Sequence, residues 1–253
     1  MELRLDTKTA LVTGSSKGIG LAIARRLAEA GANVMLSSRK AEGLAAAADT
    51  LAGLDGEVAW HVANAGDPEQ AKACVAATVD RFGRLDILVN NAATSPYYGP
   101  LLGIEPSQAA KTVEVNQSGV LWWTQEAVKA MGPQGGTVLN IASVGGLESE
   151  PGIGWYNATK AAVIHLTHQL AYELAPTVRV NAIAPGLIRT DFSRVLLARD
   201  NAVAGRIPLG RVGEPDDIAP TALFLVSDAA SWITGTVVVI DGGATSLPSG
   251  AVA

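Results

Sequence analysis

"KTALVTGSSKGIGLAIARRLAEAG", residues 8–31, holds the pattern that decides the fold. A β-rich apolar run, KTALVT (8–13), passes through the glycine turn TGSSKGIG (13–20) directly into a helix, which stops at Gly31, the expected residue just past a helix end. The glycine spacing differs from the general G-x-G-x-x-G fingerprint, but the physics is shared. Gly14 allows the tight turn, Gly18 lets the backbone approach a pyrophosphate, and Gly20 permits close packing of helix on strand. Ser16, Lys17 and Ile19 complete the turn, and the first N–H groups of the helix face the phosphates.

Outward from that unit the same alternation continues. Strands are expected at NVMLS (33–37), EVAWHV (57–62), DILVNN (86–91), TVLNIAS (137–143), RVNAIAP (179–185) and TVVVIDGG (236–243). Helical runs lie between them: AEGLAAAADTLA, residues 68–82, a long region through Met131 broken near Glu105–Ser107, and the stretch around GWYNATKAAV (154–163). Strands this apolar read as buried on both faces of a parallel sheet. The expectation is an α/β chain with a single-domain Rossmann fold over 1–253, its seven-stranded parallel sheet doubly wound with helices on both faces. Residues 189–212 break the rhythm and are expected to form a substrate loop or lid.

Bulk properties narrow the function. The 253 residues are 48% hydrophobic and 17% charged, enough for a large core. A net charge of −5 with dispersed acids offers no footprint for nucleic acid or an anionic membrane. No apolar run approaches a membrane span, and neither "MELRLDTKTALVTG" nor the closing "PSGAVA" carries a targeting signal, so a cytoplasmic protein is expected. The single cysteine, Cys74, sits in a helical pattern as a core thiol. His165 and His168 lie three apart on one helix, but with no third ligand they predict no metal site, and His61 stands alone.

A dinucleotide at the glycine turn would place its adenosine ribose at the end of the second strand. There the chain reads MLSSRK, with no acidic residue until Glu42. Ser38 supplies a hydroxyl, Arg39 a guanidinium fork and Lys17 a second cation, a set suited to a 2′-phosphate. NADP(H) is therefore favoured, with NAD(H) the alternative if these cations are only solvated surface charge.

Tyr156 and Lys160 stand four apart, about one helical turn, on a shared face. Alone they fit a core tyrosine and a surface lysine as well as they fit a catalytic pair. The wider pattern is more specific. TGSSKGIG, NNAA (90–93), VNQSG (115–119), IASVGG (141–146), YNATK (156–160), RVNAIAPGLIRT (179–190) and ITGTVVVIDGG (233–243) occur in the order in which they occur in the short-chain dehydrogenases/reductases, and the chain resembles that family over essentially its whole length.

The resemblance implies a catalytic set of Asn116, Ser143, Tyr156 and Lys160, with Ser143 13 residues before Tyr156. Tyr156 would be the acid/base, its pKa lowered by the Lys160 ammonium and a nicotinamide cation; Ser143 would polarise the carbonyl, and Asn116 would hold a water linking Lys160 to solvent. Lys160 would also bind the nicotinamide ribose, Asn91 and Ala92 would line a ribose, Asn64 would meet the adenine, and Pro185, Gly186, Ile188 and Thr190 would hold the carboxamide. Ala93 replaces a glycine usual in the family, and Asn64 an acid. The implied reaction is NADP(H)-dependent reduction of a ketone, either a 3-oxoacyl thioester or a hydrophobic carbonyl, by a homotetramer or dimer. The alternatives are an NAD-dependent alcohol dehydrogenase and an inactive cofactor-binding scaffold. A substrate wall is expected from Tyr97, Tyr98, Leu101, Leu147, Phe192, Leu196 and Leu197, with Arg194 and Arg199 open to an anionic carrier. The tryptophan pair 122–123 reads as core or subunit interface, and Asp241 as structural.

Overall fold

The computed structural model describes residues 3–199 and 203–246. Seven strands, β1 (Thr9–Thr13), β2 (Asn33–Ser38), β3 (Val58–Val62), β4 (Ile87–Asn90), β5 (Gly136–Ile141), β6 (Val178–Pro185) and β7 (Val237–Ile240), make one sheet in the order β3-β2-β1-β4-β5-β6-β7. Every neighbouring pair is parallel. The chain winds outward from β1 to β3 and then returns to place β4 beside β1. That reversal opens a crevice beyond the carboxyl ends of β1 and β4, where ligands of such sheets bind.

Among the described residues eight helices flank the sheet: α1 (Gly18–Glu29), α2 (Ala41–Asp49), α3 (Pro68–Phe82), α4 (Pro106–Val113), α5 (Gly119–Met131), α6 (Gly154–Leu174), α7 (Arg194–Arg199) and α8 (Pro215–Val226). Side chains alternate across each strand, so the core divides in two. Val12, Leu36 and Val89 face one side and pack with Ile23 and Leu27 of α1, Leu44 of α2 and Ile218 of α8. Leu11, Met35 and Leu88 face the other and pack with Cys74 of α3, Trp123 of α5 and Leu170 of α6. Cys74 is the core thiol the sequence predicts; burial pushes its pKa up to about 12, so it stays protonated and inert.

Two expectations are corrected. Burial on both faces holds for the central strands but not for the edges, where Trp60 and Val62 of β3 and Val239 of β7 are about 40% exposed (41%, 40% and 38%). An edge strand has a sheet neighbour on one side only, so helices cover it less completely. The long helix is also interrupted elsewhere. Glu105–Ser107 is a helix start, where the Glu105 and Gln108 side chains cap α4 reciprocally. The irregularity lies at Glu114–Ser118, a π-helical segment between α4 and α5. Asn116 sits inside it, fully buried, and its carboxamide bonds to chain outside the helix. Single-turn π segments of this kind are frequent at functional sites.

Candidate active site

A cavity of about 490 Å³ occupies the crevice. At its floor the glycine turn behaves as its spacing predicts. Gly14 and Gly18 have φ of +66° and +60°, the left-handed region where a side chain would be strained. A Cβ on Gly20 would lie 2.7 Å from the Gly14 carbonyl oxygen and 2.4 Å from Asn91 Nδ2, so only glycine lets α1 approach. Asn91 rivets the turn by donating from Nδ2 to the carbonyls of Thr13 (2.8 Å) and Gly14 (3.1 Å). Thr13 Oγ1 accepts in return from the backbone N–H groups of Asn91 and Ala92. Of the NNAA motif, Asn90 turns inward, donating to Thr124 and Asn140, and forms a buried structural rung.

The start of α1 has no side-chain cap and no acidic residue in its first turn, whereas Asp67, Glu105 and Glu214 cap α3, α4 and α8. Its first amides are thus left for an anion, and the side-chain-free cradle above them fits a dinucleotide pyrophosphate. Ser16, Ile19, Ser38, Arg39 and Asn64 line the adjoining end of the cavity, with Ser16 Oγ donating to Ser38 Oγ at 3.1 Å. Arg39 is exposed there. Lys17 also lines the cavity, but its ammonium is paired with Asp191 at 2.6 Å across the mouth, so it is not the uncommitted second cation expected beside Arg39.

Pro185, Gly186, Ile188 and Thr190 line the opposite end. Gly186 is required by packing: its Cβ would lie 2.7 Å from that of Asp241, just after β7. Asp241 accepts from the amides of Gly243 and Thr245 and from the Thr245 hydroxyl, the structural role expected of it. Thr190 faces the glycine turn, its Cγ2 3.3 Å from where a Gly18 Cβ would be.

Ser143, Tyr156 and Lys160 share one wall. Ser143 follows β5 and its Oγ accepts from Gly145 N at 3.2 Å. A Cβ on Gly146 would fall 2.7 Å from the Lys160 carbonyl carbon, so this glycine lets the Ser143 loop lie against α6. Lys160 is 2% exposed; its Nζ donates to the Ile141 carbonyl at 2.6 Å and lies 5.6 Å from the Tyr156 ring centroid. Burial brings its pKa down to about 8. Tyr156 moves opposite to the sequence expectation. Burial raises its pKa, the neighbouring Ser143 hydroxyl counters this, and the charge of Glu150 adds to the rise. Among the chain's own groups burial dominates the shift of the phenol.

Lys160 gives a testable consequence. Between about 8 and 10.5 the unfolded chain holds the extra proton, so stability rises with pH through that window. At pH 7 the buried charge is a net cost. Lys160→Met should therefore stabilise the cofactor-free chain at pH 7 by roughly 1–2 kcal/mol, after losing the Ile141 hydrogen bond, with the gain gone near pH 10.5. Thermal melts across that range check this; a difference independent of pH would defeat it.

The Asn116 side chain has three hydrogen-bond contacts, all within the protein. Its Oδ1 accepts from Thr94 N at 2.8 Å, and its Nδ2 donates to the Thr94 carbonyl at 2.9 Å and to Thr159 Oγ1 at 3.2 Å. The side chain is committed to holding the loop after β4 against α6, and Val115 rather than Asn116 lines the cavity.

The outer wall is also corrected. Phe192 and Leu196 line the cavity as expected, with the Phe192 ring 5.2 Å from that of Tyr156. Tyr97, Tyr98, Leu101, Leu147 and Leu197 do not line it. The Tyr97 hydroxyl donates to the Pro100 carbonyl, folding its own loop, and the Tyr98 hydroxyl donates to the Phe192 carbonyl at 3.3 Å, tying that loop to residues 189–199. In their place stand Thr94, Ser95, Val144, Ile153 and a carboxylate, Glu150, which no motif marks. Trp123 reaches the cavity from the core, donating from Nε1 to the Ala65 carbonyl. Arg194 is exposed outside the cavity lining, and the Arg199 side chain and residues 200–202 of the expected lid lie outside the described residues.

A glycine-turn crevice facing a serine, tyrosine and lysine defines a nicotinamide-dependent oxidoreductase of the Rossmann type. A family model described as enoyl-(acyl carrier protein) reductase matches residues 14–245. "Dehydrogenase/reductase SDR family member 4" of Bos taurus is 42% identical over 247 residues, 96% of this chain and 88% of that protein. The 3-oxoacyl-(acyl-carrier-protein) reductase FabG of Thermotoga maritima is 40% identical over 95% of this chain and 99% of its own. Among solved structures, a short-chain type dehydrogenase/reductase from Mycobacterium marinum superposes with a TM-score of 0.91 at 36% identity, covering 96% of this chain and 97% of that one. The chain belongs to the short-chain dehydrogenase/reductase family, oxidoreductases that act on CH–OH and C=O groups with NAD(P)(H).

Proposed function

We propose that the protein is an NADP(H)-dependent reductase that converts a ketone to a secondary alcohol. The observation that carries this is the convergence of Ser143 and Tyr156 on one cavity wall, with Lys160 buried behind them and Ser38 and Arg39 at the far end. Bound nicotinamide supplies the hydride. Ser143 donates a hydrogen bond to the carbonyl oxygen, and Tyr156 gives its proton to the developing alkoxide. Burial raises the phenol's pKa, so in the resting chain it carries the proton that a reduction consumes. Lys160 holds the ribose and stands ready beside the phenol. Asn116 acts through position, fixing Thr94 at the cavity edge. Arg39 with Ser38 holds the 2′-phosphate that separates NADP(H) from NAD(H).

The substrate is a hydrophobic carbonyl in preference to a 3-oxoacyl thioester. Phe192, Leu196, Ile153 and Val144 make the reacting end largely apolar. The described residues of the segment after β6, from 189 to 199, act as a lid over it, supported by the contacts of Phe192 with Tyr98 and Tyr156. Among the described residues no helix is long and apolar enough to cross a membrane, consistent with a cytoplasmic enzyme. Tyr172 and Trp232, 85% and 99% exposed, offer aromatic surface that a homotetramer or dimer would cover.

Loss of NADPH absorbance with an aromatic 1,2-diketone, against the same assay with acetoacetyl-CoA, tests the reading. Faster turnover of the diketone is expected. Preference for the thioester would move the protein to the oxoacyl reductases, and turnover of neither with NADPH or NADH would leave the inactive-scaffold reading.

A further inference from the structure

Two carboxylates line the catalytic cavity, and they differ in one respect. Asp191 is ion-paired with Lys17 at 2.6 Å. Glu150 has no Lys, Arg or His partner among the described residues; its one hydrogen bond comes from the Asn157 carboxamide at 3.4 Å. The residue stands at the rim with its carboxylate turned inward. A Cβ on Gly145 would lie 2.6 Å from Glu150 Oε2 and 2.2 Å from Asn157 Oδ1, so both side chains pack closely against the Ser143 loop, which holds the Glu150 carboxylate in place. Asn157 Oδ1 is buried and has no hydrogen-bond partner among the described residues. The corner thus presents one carboxylate and no cation to the cavity, with the Asn157 oxygen enclosed behind it.

Such a corner is unfavourable by itself. A carboxylate drawn partly out of water without a counter-charge is destabilised. Its pKa is raised, first by burial and further by the charge of Glu148, with the Asn157 bond opposing. The cost is relieved by a donor that brings positive charge. Glu150 also borders an outer recess walled by Pro100, Leu101 and Pro151, so it stands between that recess and the catalytic cavity.

We propose that Glu150 is a specificity-determining residue that selects ketones bearing a protonated amine, holding the ammonium group at this corner while the carbonyl meets Ser143 and Tyr156. The proposal rests on the ketone-reductase reading above and names its substrate class. A hydroxyl-bearing ketone would be served by a neutral acceptor equally well; an ammonium group needs the charge. Glu150→Gln separates the two, because it keeps an acceptor oxygen and removes only the charge.

The test compares two phenyl ketones with NADPH, one carrying a dimethylamino group three carbons beyond the carbonyl, the other its neutral isopropyl isostere. The wild-type chain should favour the amine by about tenfold in kcat/KM, and Glu150→Gln should abolish that preference through KM. The ratio of the two kcat/KM values is read within one preparation, so a general change in activity cancels from it, and unchanged NADPH binding by fluorescence titration shows that the variant is folded. Equal kcat/KM for the two ketones in the wild type overturns the proposal without touching the reductase reading. An amine preference that survives Glu150→Gln, or equal losses on both ketones, overturns it too. Turnover of neither ketone defeats the reductase reading and the proposal with it.

Discussion

Replacing Tyr156 with phenylalanine should lower kcat by about 10²–10⁴-fold while NADPH still binds. The substitution removes one hydroxyl and keeps the ring, so the packing against Phe192, at 5.2 Å between centroids, survives. In the proposed mechanism the phenol protonates the alkoxide, and burial, which raises its pKa, leaves it neutral and able to donate. The remaining donor, Ser143, can polarise a carbonyl but has no proton to spare at neutral pH. Fluorescence titration with NADPH beside steady-state rates separates the effects. Near-normal turnover with intact binding would remove Tyr156 from the mechanism.

Arg39→Asp should reverse cofactor selectivity, raising the KM for NADPH by about 100-fold and leaving that for NADH unchanged or lower. A charge-assisted hydrogen bond to phosphate contributes about 1.5–3 kcal/mol, and the new carboxylate adds repulsion. Among the described residues Arg39 makes no ion pair, and its exposed guanidinium lines the cavity beside Ser38, so no competing partner holds it. Lys17 cannot replace it fully while Asp191 holds its ammonium. Because the site is exposed, added salt should shrink the selectivity. Equal KM increases for both cofactors would show that Arg39 supports the loop and reads no phosphate.

The fold was legible because its signals are local. The glycine turn, the apolar runs and the helix stops each act within a few residues, and their order leaves few topologies for a parallel sheet. The central strands followed that pattern. The edges did not, because how much of Trp60 or Val239 is covered depends on where a strand falls in the sheet, not on its own composition. The π segment at Glu114–Ser118 was invisible for a similar reason: no nearby residue demands it, and the carboxamide of Asn116 is bound to Thr94, 22 positions away in sequence.

By itself the sequence determined the strand–turn–helix unit and the glycines at 14, 18 and 20, since these depend on residue type and short spacing, while Ser143, Tyr156 and Lys160 were singled out through the family resemblance. Tertiary structure alone decided how those groups are tuned and what surrounds them. Burial sends the pKa of Tyr156 up and that of Lys160 down, Lys17 is drawn to Asp191, and Tyr97 and Tyr98 are turned away from the cavity. Glu150, in a loop without a motif, is brought to the catalytic wall. Desolvation and Coulomb interactions depend on distance through space, and chain segments far apart in sequence set those distances only when the sheet and its loops close around the crevice.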